Sequence, residues 1–366
     1  MYKYRQVKEK ILEDIQKLRP NEKIMSRPLM CRKFKFARTT IDMAINELIQ
    51  EKVLYTVAGS GTFVSEEYRT RMAKIGDDIT SWGVILPDLV SDIYPRFIRG
   101  IEDYSQQYNI NVVICNTDNL IKKQNEYIDR LIESDVKGLI IIPAIAAKWD
   151  NSGFELLRSR NIKYVFCNRP GDSYSDVPLV CSNDFYGGYI ATKHLLEKGY
   201  RRIAYIARES YKSSIDRYCG YFAALAEANI AIERDLIFLE PLQESANNNG
   251  CYQFMRKLLL SPNPPHAFFC FNDRITLQAY RAVREVGKRV SSDIGLIGYD
   301  NTQICDVIDP KLTSVQFMGY EMGHKAAQIL HKTISGENMT GTNVFLYQPI
   351  LMVRESCLGR EENKDE

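Results

Sequence analysis

The chain has 366 residues, 45% hydrophobic and 26% charged, enough to bury a sizeable core in two or three domains. Its nine cysteines are odd in number, scattered and without a CxxC pair, which argues against a disulfide framework or a zinc site and for a reducing, cytoplasmic setting. The start MYKYRQVKEKILEDIQKL mixes charged and apolar residues, and no run of 18 apolar residues occurs, so neither secretion nor membrane insertion is expected.

The net charge of +2 is unevenly spread: residues 1–70 hold 14 Lys and Arg against 9 Asp and Glu. Between Asn21 and Thr40, Lys23, Arg27, Arg32, Lys33, Lys35 and Arg38 are opposed only by Glu22, a local density suited to a phosphate backbone. Val7, Ile11, Leu12, Ile15 and Leu18 recur at helical spacing and stop before Pro20, predicting an amphipathic helix over 5–18. Ser26 can cap a short helix ending at Phe34. After a turn of Lys35, Phe36 and Ala37, a second helix from Arg38 turns Ile41, Ala44, Ile45 and Leu48 inward. Helix, tight turn, helix is a helix-turn-helix pattern. The next segment, VLYTVAGSGTFVS, reads as a hairpin with Ala58, Gly59, Ser60 and Gly61 at its tip, in other words a wing. The start of the second helix aims Arg38, Thr39 and Thr40 outward, where an arginine fork can read guanine and hydroxyls can meet phosphates.

These residues resemble the GntR family of winged-helix repressors through ARTTIDMAINELIQEKVLYTVAGSGTFV at 37–64, GSGTFV being its most specific part. The resemblance implies DNA contact at Arg38, Thr39, Thr40 and Gly61, and we add Arg27, Lys33, Lys35, Ser60 and Thr62 as candidates. The family's usual pattern has a glycine where Lys35 stands, a serine at Ala37, an arginine at Asp42, and an acidic residue followed by arginine at Arg27 and Pro28. These departures bear on the operator sequence and leave the fold reading intact.

Residues 67–80 are polar and weakly periodic and read as a linker between a DNA-binding domain, 1–66, and a larger domain, 81–357, followed by a polar tail, 358–366. In the larger domain, apolar runs at 82–87, 110–116, 136–143, 162–168, 202–207, 266–272 and 294–300 alternate with helical segments such as 95–108, 122–134, 186–198 and 274–287. That alternation predicts a doubly wound α/β fold with parallel sheets, whose ligands sit beyond the carboxyl ends of the strands. Polar residues there become candidates: Asp118, Asn168, Arg169, Asp184, Arg217, Asn272, Asp273 and Asp300, with Asp88, Asn116, Asn183 and Asn301 close by. Asn, Asp and Arg side chains grip polyhydroxylated ligands without a nucleophile or metal, and Tyr94, Phe97 and Tyr299 could stack on a sugar ring. Turn formation or helix capping is the competing role of each Asn and Asp.

This half resembles the sugar-binding domain of the LacI family and the related periplasmic binding proteins over about 80–357, through CSNDFYGGYIATKHLLEKGYRRIAYI, DRYCGY, FCFNDRITLQAYRAVREVG and DIGLIGYDN. The resemblance implies two lobes, with the chain crossing between them near 182–185, 314–318 and 340–345. It also implies an effector between the lobes held by Arg217, Asn272, Asp273 and Asp300, with Asn168 and Arg169 where an Asp–Arg pair is usual. A transcription regulator follows, most simply a repressor of sugar-utilisation genes, with double-stranded operator DNA, a small sugar such as a pentose or deoxyhexose, and a second copy of the chain as partners. Neither cofactor nor metal is expected. A transport receptor is the alternative, opposed by the basic winged helix. An enzyme is opposed by His194, His266, His324 and His331, which form no HExxH, and by the lack of a GxSxG elbow or P-loop.

Overall fold

The computed structural model describes residues 3–16, 18–68, 81–145, 150–171, 176–208, 212–241, 249–337 and 343–359. The expected linker from 69 onward and the tail from 360 lie outside them. The chain forms two compact units, one of Met1–Thr80 with Tyr108–Ile110, the other of Ser81–Gln107 with Asn111–Glu366.

The first unit contains α1 (Lys3–Gln16), α2 (Arg27–Phe34), α3 (Arg38–Gln50) and the antiparallel strands β1 (Leu54–Val57) and β2 (Gly61–Val64). Val7, Ile11 and Ile15 recur every fourth residue and so share one face of α1, which closes on Ile41, Ala44, Ile45 and Leu48 of α3 and on Met30, Phe34, Leu54 and Val64. The helix begins and ends two residues earlier than its periodicity predicts. Ser26 occupies the cap position of α2, but its side chain makes no capping bond. Lys35 closes the turn in the left-handed region at φ 58°, which explains why glycine suits this position in similar heads. Ile24 donates its amide to the Thr62 carbonyl at 3.0 Å, adding a short third edge to the hairpin.

The second unit runs β3 (Ser81–Leu86), α4 (Tyr94–Gln106), β4 (Asn111–Asn116), α5 (Ile121–Glu133), β5 (Gly138–Ile141), α6 (Ser152–Ser159), β6 (Lys163–Cys167), β7 (Leu179–Ser182), α7 (Asp184–Glu197), β8 (Ile203–Arg208), α8 (Lys212–Glu227), β9 (Ile237–Glu240), α9 (Gly250–Leu259), β10 (Ala267–Cys270), α10 (Asp273–Glu285), β11 (Gly295–Asp300), α11 (Ile304–Val307), β12 (Thr313–Gln316), α12 (Gly319–Ile334), β13 (Val344–Tyr347) and β14 (Ile350–Met352). Two six-stranded sheets result, ordered β13-β7-β6-β5-β3-β4 and β14-β12-β11-β10-β8-β9. Pairing is parallel throughout except for β14, an antiparallel edge that the expectation of purely parallel sheets lacked. The sheets define two lobes. The chain crosses between them after Ser182, between Gln316 and Gly319, and at Gln348 and Pro349, the last crossing falling later than the expected 340–345 because β13 still belongs to the first sheet.

Each lobe has a helix pair drawn together by glycine. In the first, α4 and α12 approach so closely that a Cβ on Gly100 would strike the Tyr320 carbonyl and one on Gly323 the Phe97 carbonyl. In the second, Gly188 and Gly220 play the same part between α7 and α8.

On the inward face of α12, His331 is buried beside Trp82, and its Nδ1 lies 3.1 Å from the Tyr104 hydroxyl. Burial lowers the His331 pKa to about 4, and it also lowers that of neighbouring His324. At these two histidines the unfolded chain therefore binds more protons than the folded one below about pH 6.5, and their contribution to stability is lost as pH falls toward 4. For His331 this amounts to roughly 2 kcal/mol at pH 5. Thermal or urea unfolding from pH 7 to pH 5 should show that loss, and His331→Gln should flatten it; an unchanged slope in the variant would refute the assignment.

Candidate functional site

On the head, α3 begins at Arg38, whose side chain is 75% exposed; Thr39 beside it is exposed and Thr40 half-buried. Ala37 precedes them without a side-chain cap, leaving the first amides of α3 unclaimed by it. Lys35 is exposed next to this helix start. Lys33 pairs with Asp14 at 2.6 Å, but the pair lies at the surface, where such contacts hold a side chain only weakly. Arg27 donates from Nε to Asp42 Oδ1 at 2.7 Å and from Nη1 to the Thr62 hydroxyl at 3.4 Å. Thr62 is a correction to the expected DNA-facing set. It is only 3% exposed, because alternation along β2 turns it inward with Val64 while Ser60 stays outside. Gly61 starts β2 at φ 131°, and a Cβ there would come within 2.5 Å of Lys23 Cε, so the lysine stem crosses the wing where glycine leaves room.

In the second unit, a cleft of about 170 Å³ opens at the carboxyl end of β11. Asp92, Ile93, Pro95 and Arg96 line it from the first lobe, and Asp300 to Gln303 from the second, with Phe317 from a crossing segment. Ligand pockets generally measure about 300–1,000 Å³, so the lobes here stand close together. Asp300 has φ 99°, a strained conformation for aspartate that the adjoining Asn301, at φ 49°, continues. Its carboxylate accepts no hydrogen bond from any described residue. Burial pushes its pKa well up, against the pull of the Arg217 guanidinium.

The other sequence candidates fall in different surroundings. Arg217, 4% exposed, donates from Nε to Asp184 at 2.8 Å and from Nη1 to the Phe271 carbonyl at 2.5 Å, and its guanidinium lies 3.3 Å from the centre of the Tyr299 ring. Tyr299 is thus buried under an arginine rather than free to stack on a sugar, and Arg217 spends its donors inside the lobe. Burial lifts the Asp184 carboxyl while Arg217 pulls it back down. Asp273 is buried and saturated: Oδ1 accepts from Ser314 at 2.6 Å, and Oδ2 from the Thr302 amide and hydroxyl at 2.8 and 3.0 Å and from Cys305 Sγ at 3.2 Å. Asn272 caps α10, accepting from the Ile275 amide at 3.0 Å. Asp118 lies on an exposed turn at φ 51°, where a hydrogen bond from Lys123 lowers its pKa. Asn168, half-buried at φ 63°, ends β6, and Arg169 donates to the Pro143 carbonyl at 2.6 Å and points to Asn119 at 3.5 Å. Asp88 and Asn183 likewise cap the segments that follow them.

Tyr94 and Phe97 are buried in the α4 packing and do not line the cleft; Asp92 and Arg96 do. The sequence held the signal for this, since Tyr94, Phe97, Ile101 and Tyr104 repeat at three and four residues and so mark the inward stripe of α4. Arg96 falls off that stripe. Among the described residues no group of His, Cys, Asp and Glu could hold a metal, and no helix is long and apolar enough to cross a membrane.

The profile of bacterial regulatory proteins of the gntR family matches residues 3–64, and that of the periplasmic binding protein-like domain matches 192–357. The arabinose metabolism transcriptional repressor of Geobacillus stearothermophilus is 29% identical over 362 residues, 97% of each chain. The HTH-type transcriptional repressor PurR of Histophilus somni is 31% identical over 280 residues, 75% of this chain and 81% of its own. A crystal structure of a LacI family transcriptional regulator from Enterococcus faecium with bound ribose superposes with a TM-score of 0.64 at 29% identity, over 76% of this chain and 98% of that one. These relatives are regulators and not enzymes. With an exposed basic helix-turn-helix and a two-lobed body bearing an open polar cleft, the chain belongs to the HTH-type transcriptional repressors, as a DNA-binding regulator that joins a gntR-type head to a LacI-like ligand-binding domain.

Proposed function

We propose that the protein represses sugar-utilisation genes from the cytoplasm and that an uncharged monosaccharide, a pentose or deoxyhexose, binds between the lobes to control it. The observation that carries this reading is Asp300: a strained backbone holds a carboxyl group with no hydrogen-bond partner among the described residues, at the mouth of a cleft walled by both lobes. Two relatives support the ligand class, one named for arabinose metabolism and one solved with ribose. Asp300 takes a sugar hydroxyl, Asp92 and Arg96 meet the ring from the first lobe, and Asn168 and Arg169, after β6, remain further candidates outside the cleft lining. Arg217 acts from behind, through its field on Asp300 rather than by direct contact.

A ligand that touches both lobes favours their closed arrangement, and only that difference in affinity can act on DNA binding. One winged helix reads few base pairs, so useful affinity calls for two heads and a homodimer. Leu89, Val90, Val113, Ile114 and Leu120 expose an apolar surface along the β4 edge of the first lobe, with Val90 83% exposed, and a second copy suits it.

Calorimetry against pentoses, hexoses, deoxyhexoses and phosphorylated sugars tests the ligand. Asp300→Asn should weaken the sugar by about 1–3 kcal/mol, and binding of phosphate esters alone would refute the neutral-sugar reading. Sugar affinity should change by about 5–150-fold when selected operator DNA is saturating, and DNA affinity by the same factor when sugar is; equal affinities in both titrations would remove the coupling. Arg38→Ala should cost about 1–3 kcal/mol of operator binding and relax one base position, whereas full affinity with unchanged preference would displace Arg38 from the reading face. In sedimentation, Val90→Glu should yield monomers with weakened operator binding, and an intact dimer would place the interface elsewhere.

A further inference from the structure

Asp42 lies one helical turn after Arg38 on α3, with its side chain 38% exposed, and an arginine faces each of its oxygens. Arg27 Nε stands 2.7 Å from Oδ1 and Arg38 Nε 3.9 Å from Oδ2. Arg27 comes from the first turn of α2 and also reaches Thr62 on β2, so Asp42 and Arg27 together tie the start of the helix-turn-helix, its second helix and the wing. The usual pattern of the family this head resembles has opposite charges at 27 and 42, and at the 2.7 Å separation seen here either polarity can make the pair.

A carboxylate on a face that meets phosphates repels them, and a partly exposed ion pair adds little to stability, so folding alone is a weak reason for an acid here. Its effect on the arginines is larger. Arg27 is hydrogen-bonded to the carboxylate, and Arg38, at 3.9 Å without a hydrogen bond, is drawn toward it, which narrows the directions its planar fork explores before it docks on guanine.

We propose that Asp42 is a specificity-determining positioning residue of the operator site. It orients Arg38 for base reading, and Arg27 is the counter-charge that makes an acid tolerable there. The proposal rests on the reading that Arg38 faces DNA. If Arg38→Ala leaves operator binding unchanged, that reading fails; if Arg38→Ala weakens it and the Asp42 variants change nothing, only this inference fails.

The test uses the full-length protein, selection from a randomised duplex library, and titration of the selected operator and of random DNA. Asp42→Asn should lower the operator-to-random affinity ratio about tenfold, with random DNA bound as tightly as before or more so because a repelling charge is gone. The double exchange Arg27→Asp with Asp42→Arg should keep the thermal midpoint, since it rebuilds the ion pair, yet select a different base beside the position read by Arg38. A doubly exchanged protein with the wild-type midpoint that selects the wild-type operator would overturn the proposal. If the double exchange does not fold, an unchanged affinity ratio in Asp42→Asn overturns it equally.

Discussion

The guanidinium of Arg217 has almost no exposure to water, and much of the second lobe is arranged to make that tolerable. An isolated cation buried this deeply would be strongly unfavourable, so each side of it is occupied: Asp184 at one edge, the Phe271 carbonyl at another, and the ring of Tyr299 against its face. Asp184 stands one residue beyond Asn183, where the chain enters the second lobe from the first, and Tyr299 immediately precedes Asp300 in β11. One charge thereby ties the entry point of the lobe to the strand that carries the cleft carboxyl. Burial raises the pKa of Asp300 well above the usual carboxylate range, against the opposing pull of Arg217.

The same geometry limits how the lobes move. Three chain segments pass between them, at Ser182, Gln316 to Gly319, and Gln348 to Pro349, and the first and second run directly into α7 and α12. Each of these helices is clasped to a partner through glycines with no room for a side chain, so each lobe is a tightly packed body joined to the other by three crossings.

The head follows a different economy. Its hydrophobic core is small, its surface is basic, and its reading face contains an acid that pure phosphate binding would disfavour. Lys35 in a left-handed turn and Ala37 at an uncapped helix start both depart from the conformationally easier choices of glycine and serine. Lysine at the first position adds charge beside the start of α3. We have no physical account of alanine at the second.

Sequence alone determined the periodic part of this protein. Ile41, Ala44, Ile45 and Leu48 mark α3, the run from Ser81 to Leu86 marks a strand buried on both faces, and the order of helix, turn, helix and hairpin marks a winged head, because such patterns arise from neighbouring residues and the repeat of the backbone. The polar candidates after each strand were legible as a class but not one by one. Asp273 meets Ser314 and Thr302, Arg217 meets Asp184 33 positions away, and Phe97 lies against α12, more than two hundred residues later. Only tertiary structure decided that these groups serve the interior and that Asp300, Asp92 and Arg96 face the cleft. A side chain's type states which bonds it can make, but its free or occupied state depends on groups that folding brings from far along the chain.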